Sequence, residues 1–317
     1  SVGIGWLVVG LSPVYTVLVS GLAIVAAASS LWHLPAMAVL SNRFAGRRGF
    51  ALSVYGIGGN VGDIIGPAVT GLLLGVVGWR GIINIYALIP FFLTFLVFWA
   101  FFHIGRVGQK QNQVLTKEAL QKQLLYIKHM IRNRTLVGLI LVAGIRGMAF
   151  VAFTVVISLY AKDVINLNGP TRGLYLSLMS LAGLVSSPIL GHLSDRFGRK
   201  WVLVPNIVTL GVLTLLMALY GHQGAFPFLL VLIGFFLYSD QPILTAAALD
   251  LVGDRVTTTT IGVISFSRLA LSAPSPVLAG WLYNTEGGTL VFYYIVGLFL
   301  LAGGLLYLLR LPKTDLR

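Results

Sequence analysis

Cysteine is absent from the 317 residues, so neither a disulfide framework nor a thiolate metal site can be built. Acid is nearly as scarce: nine Asp and Glu stand against 22 Lys and Arg, too few carboxylates for a metal cluster. No H-E-x-x-H, G-x-S-x-G or Walker loop occurs, so no enzyme activity, metal or cofactor is expected. Charged residues of either sign make up only 10% of the chain, where soluble domains carry about 25%. Hydrophobic residues make up 57%, more apolar surface than a soluble core could hide. The composition therefore points to a membrane protein.

The apolar residues fall in blocks of bilayer length, since about 20 helical residues cross the hydrocarbon. Nine full spans are read at 14–41, 49–77, 81–102, 136–161, 173–193, 201–220, 227–249, 258–283 and 289–309. The fold class is thus all-α and polytopic. Residues 2–11 are apolar but only about half a crossing long, and read as the tail of a helix whose beginning lies upstream. A secretory signal would need a basic start and a small-residue cleavage site, and residues 1–13 have neither.

Lys and Arg gather in alternate loops: Arg43, Arg47 and Arg48; seven residues from Arg106 to Arg134; Arg196, Arg199 and Lys200; Arg255; and Arg310, Lys313 and Arg317 at the end. The opposite loops hold Arg80, Lys162 and Arg172. The basic face is the cytoplasmic one, which places the C-terminus there. The net charge of +13 is then a topology signal in short loops, and no nucleic-acid partner is expected. Within 105–134, Leu120, Leu124, Ile127 and Ile131 share one helical face with the lysines largely off it, as in a helix lying on an anionic leaflet.

An offset of 207 residues lays the chain on itself. Pro35 meets Pro242, Gly46 meets Gly253, Arg48 meets Arg255 and Pro67 meets Pro274. Parallel repeats joined by a basic linker divide the chain into 1–104, a linker at 105–134, and 135–317, an arrangement found in one large transporter fold. By the same offset, Leu136 corresponds to a position about 70 residues before Ser1. Two helices and part of a third are expected upstream, giving two pseudo-symmetric six-helix halves.

The loop Gly191-His192-Leu193-Ser194-Asp195-Arg196-Phe197-Gly198-Arg199-Lys200 has glycines for a tight turn, a carboxylate for charge-assisted hydrogen bonds, and a basic end. It resembles the signature cytoplasmic loop of the major facilitator superfamily, G-x-L-x-D-R-x-G-R-R/K. That resemblance, which covers nearly the whole chain, implies a secondary transporter in which Gly191, Asp195, Arg196, Gly198, Arg199 and Lys200 latch the state closed to the cytoplasm. Gly62, Gly66, Pro67 and Gly71 resemble the family's antiporter motif, G-x-x-x-G-P-x-x-G-G, with Thr70 in place of the first paired glycine. Small residues four apart allow close helix packing, and the proline bends the helix. Ser29-Ser30-Leu31-Trp32-His33-Leu34-Pro35 and Gly58-Gly59-Asn60-Val61-Gly62 resemble elements of the fosmidomycin-resistance group of drug exporters. Pro35 comes one residue later than in that group, and Asp63 replaces its small polar residue.

Charge deep in a bilayer costs about 2.5–3.5 kcal/mol on insertion scales and persists where it is paired or faces an aqueous cavity. Within the spans the candidates are His33, Asp63, Arg146, Asp240 and Arg268, with Asn60, Tyr238 and Gln241 as polar companions. The offset carries His33 onto Asp240. The resemblance implies alternating access with a small-molecule substrate and protons as coupling ion. Asp240 or Asp63 would carry the proton, Arg146 or Arg268 would pair with it or meet an anionic group, and His33 would hydrogen-bond substrate or share the proton. An ion pair between Asp240 and Arg268 is the structural alternative. Span 14–41 has no basic residue but His33, whereas many proton-coupled members carry an arginine there. The expected function is export of small organic molecules from a bacterial cytoplasmic membrane, by a monomer. The alternatives are an uptake symporter and a non-transporting receptor or scaffold.

Overall fold

The computed structural model describes residues 2–43, 48–104, 132–252 and 257–311. The described residues are helical almost throughout, in twelve α-helices and one 3-10 turn, Gly221–Gln223: α1 Val2–Gly10, α2 Tyr15–Arg43, α3 Arg48–Leu73, α4 Trp79–Ile104, α5 Arg134–Asp163, α6 Gly169–Phe197, α7 Arg199–Tyr220, α8 Phe226–Leu237, α9 Asp240–Val252, α10 Thr257–Ser272, α11 Ser275–Glu286 and α12 Gly288–Leu308. Among the described residues, six segments are long and apolar enough to cross a membrane: Trp79–Trp99, Arg134–Asp163, Gly169–Phe197, Arg199–Tyr220, Phe226–Leu251 and Gly288–Leu308. A shorter apolar stretch, Tyr15–Ser29, opens α2. The linker with its amphipathic stripe, and Gly46, Gly253 and Arg255 of the repeat, lie outside the described residues.

The contacts divide the chain into two compact units. One is Ser1–Val114 with Gly169–Gly173, and the other is Leu115–Asn168 with Leu174–Arg317. In the first, α1 packs against α2 and α4, and α2 packs against α3. In the second, α12 packs against α5 and α7, α5 also meets α9, α10 and α11, and α7 also meets α8 and α9. Its core is a layer of aliphatic and aromatic side chains, with Phe153, Ile157, Leu210, Phe226, Phe292 and Phe299 all fully buried. Asn133 starts α5 by accepting hydrogen bonds from the free amides of Thr135 (3.0 Å) and Leu136 (3.2 Å).

Shifted by 207 residues, α2 falls on 222–250, where α8 and α9 lie, and α3 on 255–280, where α10 and α11 lie. Likewise α4 falls on 286–311, where α12 lies, and α1 falls inside α7. The paired prolines behave differently, however. The helix runs on through Pro67 in α3 but breaks at its counterpart, between Ser272 and Ser275. The expected span 227–249 is also two pieces, α8 and α9, interrupted at Tyr238 and Ser239. Pro242 supplies no amide to the carbonyl of Tyr238, and its ring crowds that carbonyl. Lys162, expected in a loop, lies in the last turn of α5, and Arg80 and Arg172 sit in the first turns of α4 and α6.

Candidate functional site

A broken helix leaves carbonyls without amide partners, and inside a membrane each must find one. At the α8–α9 break three side chains supply them. Asn206 Nδ2, from α7, donates to the carbonyl of Phe236 (3.0 Å), and Ser239 Oγ donates to the same oxygen (3.1 Å). Arg146, from the middle of α5, donates through Nη2 to the carbonyl of Leu237. The same guanidinium holds Asp240, the first residue of α9, with Nε donating to Oδ2 (2.6 Å) and Nη2 lying 2.5 Å from Oδ1. Arg146 is 1% exposed and Asp240 0%, so this is a desolvated ion pair. Asp240 also stands at a helix N-terminus, where the aligned peptide dipoles favour negative charge.

The arginine is braced on its other side by Phe150, whose ring centroid lies 5.0 Å from the guanidinium carbon, and Phe150 meets Tyr238 edge-on at 5.7 Å. Its Nη1 is buried and makes no hydrogen bond within the described residues. The second arginine, Arg268 on α10, donates through Nη1 to Gln241 Oε1. Its stem lies against α5 at Gly147, where a Cβ would come within 2.8 Å of Arg268 Cγ. Arg146, Asp240, Gln241, Arg268 and Tyr238 are thus brought together in the second unit. The structural alternative is corrected in its partner: Asp240 pairs with Arg146, and Arg268 binds the neutral Gln241.

A small cavity opens beside this cluster, lined by Ala143, Arg146, Gln241, Leu244, Thr245, Ile264, Ser265 and Arg268. Its free volume of about 20 Å³ is enough for one water or one small functional group. An open groove of about 480 Å³ adjoins it along α9, lined by Tyr238, Pro242, Ala246 and Leu249, and shares Gln241 and Thr245 with it. At the second break, Ser275 donates to the carbonyl of Met148 on α5 (2.7 Å) and lies 3.1 Å from Tyr294 Oη.

The first unit carries the other candidates. Asn60 and Asp63 are exposed on α3, and His33 lies on α2 with its side chain outside the described residues. Of the antiporter-like glycines, Gly71 makes the close approach. A Cβ there would stand 2.9 Å from Gly173 Cα and 3.1 Å from Gly173 N, both backbone, within the unit that takes in Gly169–Gly173. A Cβ at Gly62 or Gly66 would meet nothing within 4 Å among the described residues. Thr70, the departure from the motif, has its hydroxyl 2.8 Å from Tyr86 Oη and so ties α3 to α4.

In the charged loop between α6 and α7, Gly198 has φ +97°, a conformation that side chains disfavour. Arg199 is the hub. It reaches Asp195, donates to Ser194 Oγ (2.8 Å), and donates to Asp250 Oδ2 at the end of α9 (3.1 Å). Lys200 donates to the carbonyl of Leu309 (2.8 Å), and Arg196 lies over the Phe197 ring. Sequence reasoning missed Asp250, whose one visible signal was an acid at the end of a span facing a basic loop. It also missed Asn206 and Ser239, which nothing short of the helix break would reveal.

Comparison with known proteins agrees with this architecture. Residues 1–184 and 167–317 match the family described as Major Facilitator Superfamily. The chain is 24% identical over 271 residues to the uncharacterized MFS-type transporter YfnC of Bacillus subtilis (strain 168), covering 82% of this chain and 63% of that protein. It is 31% identical over 193 residues to the multidrug resistance protein MdtG of Proteus mirabilis (strain HI4320), covering 58% and 46%. The matches thus span about half to two thirds of these relatives' lengths. Among solved structures, a bacterial homologue of the iron transporter ferroportin in its inward-facing state superposes with a TM-score of 0.67 at 15% identity, covering 96% of this chain and 79% of that one.

Proposed function

The chain belongs to the major facilitator superfamily, and on that premise we propose that it is a proton-coupled secondary transporter that exports small organic molecules by alternating access. One observation carries the reading: the buried Arg146–Asp240 pair sits at a helix break and beside a cavity. The pair holds the break together, and its place beside a cavity is what a site that must bind a polar cargo also needs. Asp240 is committed to holding Arg146, which leaves Asp63 on α3 as the proton carrier, with His33 to hydrogen-bond substrate or share the proton. Export rather than uptake is supported by the similarity to MdtG and by the Gly62, Gly66, Pro67 and Gly71 motif. The fosmidomycin-resistance-like elements around His33 and Asn60 support the same direction.

In this reading the protein is a monomer in a bacterial cytoplasmic membrane, with its C-terminus cytoplasmic and halves at 1–104 and 135–317. The Arg199 hub, through Asp195 and Asp250, steadies the state closed to the cytoplasm. Everted membrane vesicles carrying the full chain test the proposal. After respiration has acidified their interior, addition of a transported compound from a panel of small organic molecules should release protons and raise the internal pH. Acidification of unenergised vesicles by the same compound would mark an uptake symporter, and movement of no compound would mark a receptor or scaffold.

A further inference from the structure

The charges around the small cavity do not balance. Arg146 and Arg268 both line it, and Asp240 is not part of its lining. The carboxylate is spent behind the cavity on Nε and Nη2 of Arg146, leaving Nη1 buried and without a hydrogen-bond partner among the described residues. Arg268 has a neutral amide, Gln241, where an arginine in an apolar wall would ordinarily have a carboxylate. Two guanidiniums thus stand beside this space with one carboxylate between them, and that carboxylate is paired with Arg146 alone.

We infer that this cavity receives the anionic head of the cargo, a carboxylate held by Arg146 and Arg268, while an apolar body lies along α9. A buried, unpaired N–H donor is an expensive feature that a ligand acceptor would relieve. The planar fork of a guanidinium matches a carboxylate in two parallel hydrogen bonds, and Thr245 and Ser265 supply hydroxyls on the remaining wall. The volume, about 20 Å³, admits a head group and nothing larger. The body must then leave past Gln241 and Thr245, the two residues shared with the open 480 Å³ groove, whose other lining residues are Tyr238, Pro242, Ala246 and Leu249. The substrate class is therefore an amphipathic organic monoanion. This rests on the transporter reading for its meaning as cargo, but binding itself is separable from transport.

The test is equilibrium binding without a gradient. The full chain in lipid nanodiscs is heated with 4-phenylbutyrate, 4-phenylbutylamine or 4-phenylbutanamide, which share one body and differ in head charge, and with acetate. The carboxylate should raise the unfolding temperature, and the amine and amide should not. Arg268→Gln should weaken the carboxylate's effect by about tenfold or more in concentration, with Arg268→Lys, which keeps the charge and loses the fork, in between. An amine that stabilises as well as the carboxylate would overturn the inference, as would an undiminished effect in Arg268→Gln. If that variant fails to fold, the ranking of the three heads on the parent chain decides alone. Stabilisation by acetate as strong as by 4-phenylbutyrate would overturn the place given to the body. A selective carboxylate effect alongside proton-indifferent transport would sink the proton-coupling proposal and leave this one standing.

Discussion

The Arg146–Asp240 pair lends itself to a double-mutant cycle with Arg146→Met and Asp240→Leu. Asp240→Leu leaves a guanidinium that is 1% exposed with its Nε unpaired, its Nη1 as before, and only Nη2 still bonded, to the Leu237 carbonyl. Stranding a buried charge in this way costs about 3–5 kcal/mol. Arg146→Met strands the carboxylate instead and also removes the donor from Leu237, but the α9 N-terminus returns about 0.5–1 kcal/mol. In the double variant neither charge is left, and two apolar side chains of similar bulk fill the space. The loss that remains is the unpaired Leu237 carbonyl, about 1 kcal/mol. The double variant should therefore lie within about 1–2 kcal/mol of the parent, with a coupling energy of at least about 2 kcal/mol between the sites. Reversible unfolding in mixed micelles, followed by circular dichroism, measures all four corners. Additive losses in the double variant, or single losses under about 1 kcal/mol, would refute the pair's role at the break.

Gly71→Ala should destabilise by about 1–3 kcal/mol, because its Cβ meets backbone atoms of Gly173 that cannot swing away, while Gly66→Ala should change stability by less than about 0.5 kcal/mol; the same unfolding assay separates them. Arg199→Gln should cost under about 1 kcal/mol, since Asp195 and Asp250 are exposed, and high salt should shrink the difference further. Its larger effect should be on transport, by weakening the latch on the cytoplasmic side, read as a changed rate in everted vesicles. Gly147→Val should push the Arg268 stem off α5 and weaken 4-phenylbutyrate binding in nanodiscs, with binding as tight as the parent's counting against the placement of that arginine.

Much of the architecture was legible because membrane helices announce themselves by length and apolarity, and a 207-residue offset carries helix bounds from one part of the chain onto another within a few residues. The helix breaks were not legible. Pro67 and Pro274 are paired by the repeat and look alike in sequence, yet only the second interrupts its helix. What differs is the surroundings, since Ser275 finds the Met148 carbonyl and Tyr294 at the second site. Residues 94 positions apart, Arg146 and Asp240, could be nominated as costly charges but not matched to each other, because two arginines competed for one carboxylate. The decisive detail was the Leu237 carbonyl, a backbone group that becomes available only once α8 has ended. Asp250 escaped notice for the opposite reason: an exposed acid near a basic loop is commonplace until Arg199 is seen to reach it.

Proton coupling can be read in liposomes. The purified full chain, reconstituted around a trapped pH-sensitive dye, is given an inward gradient of an organic compound of fixed charge that does not cross empty liposomes. The compound's entry should drive protons out in a stoichiometric burst, a protonophore should dissipate the resulting pH difference, and Asp63→Asn should abolish the burst. Entry of the compound at an unchanged rate with no proton movement, in the parent and in Asp63→Asn alike, would contradict proton coupling.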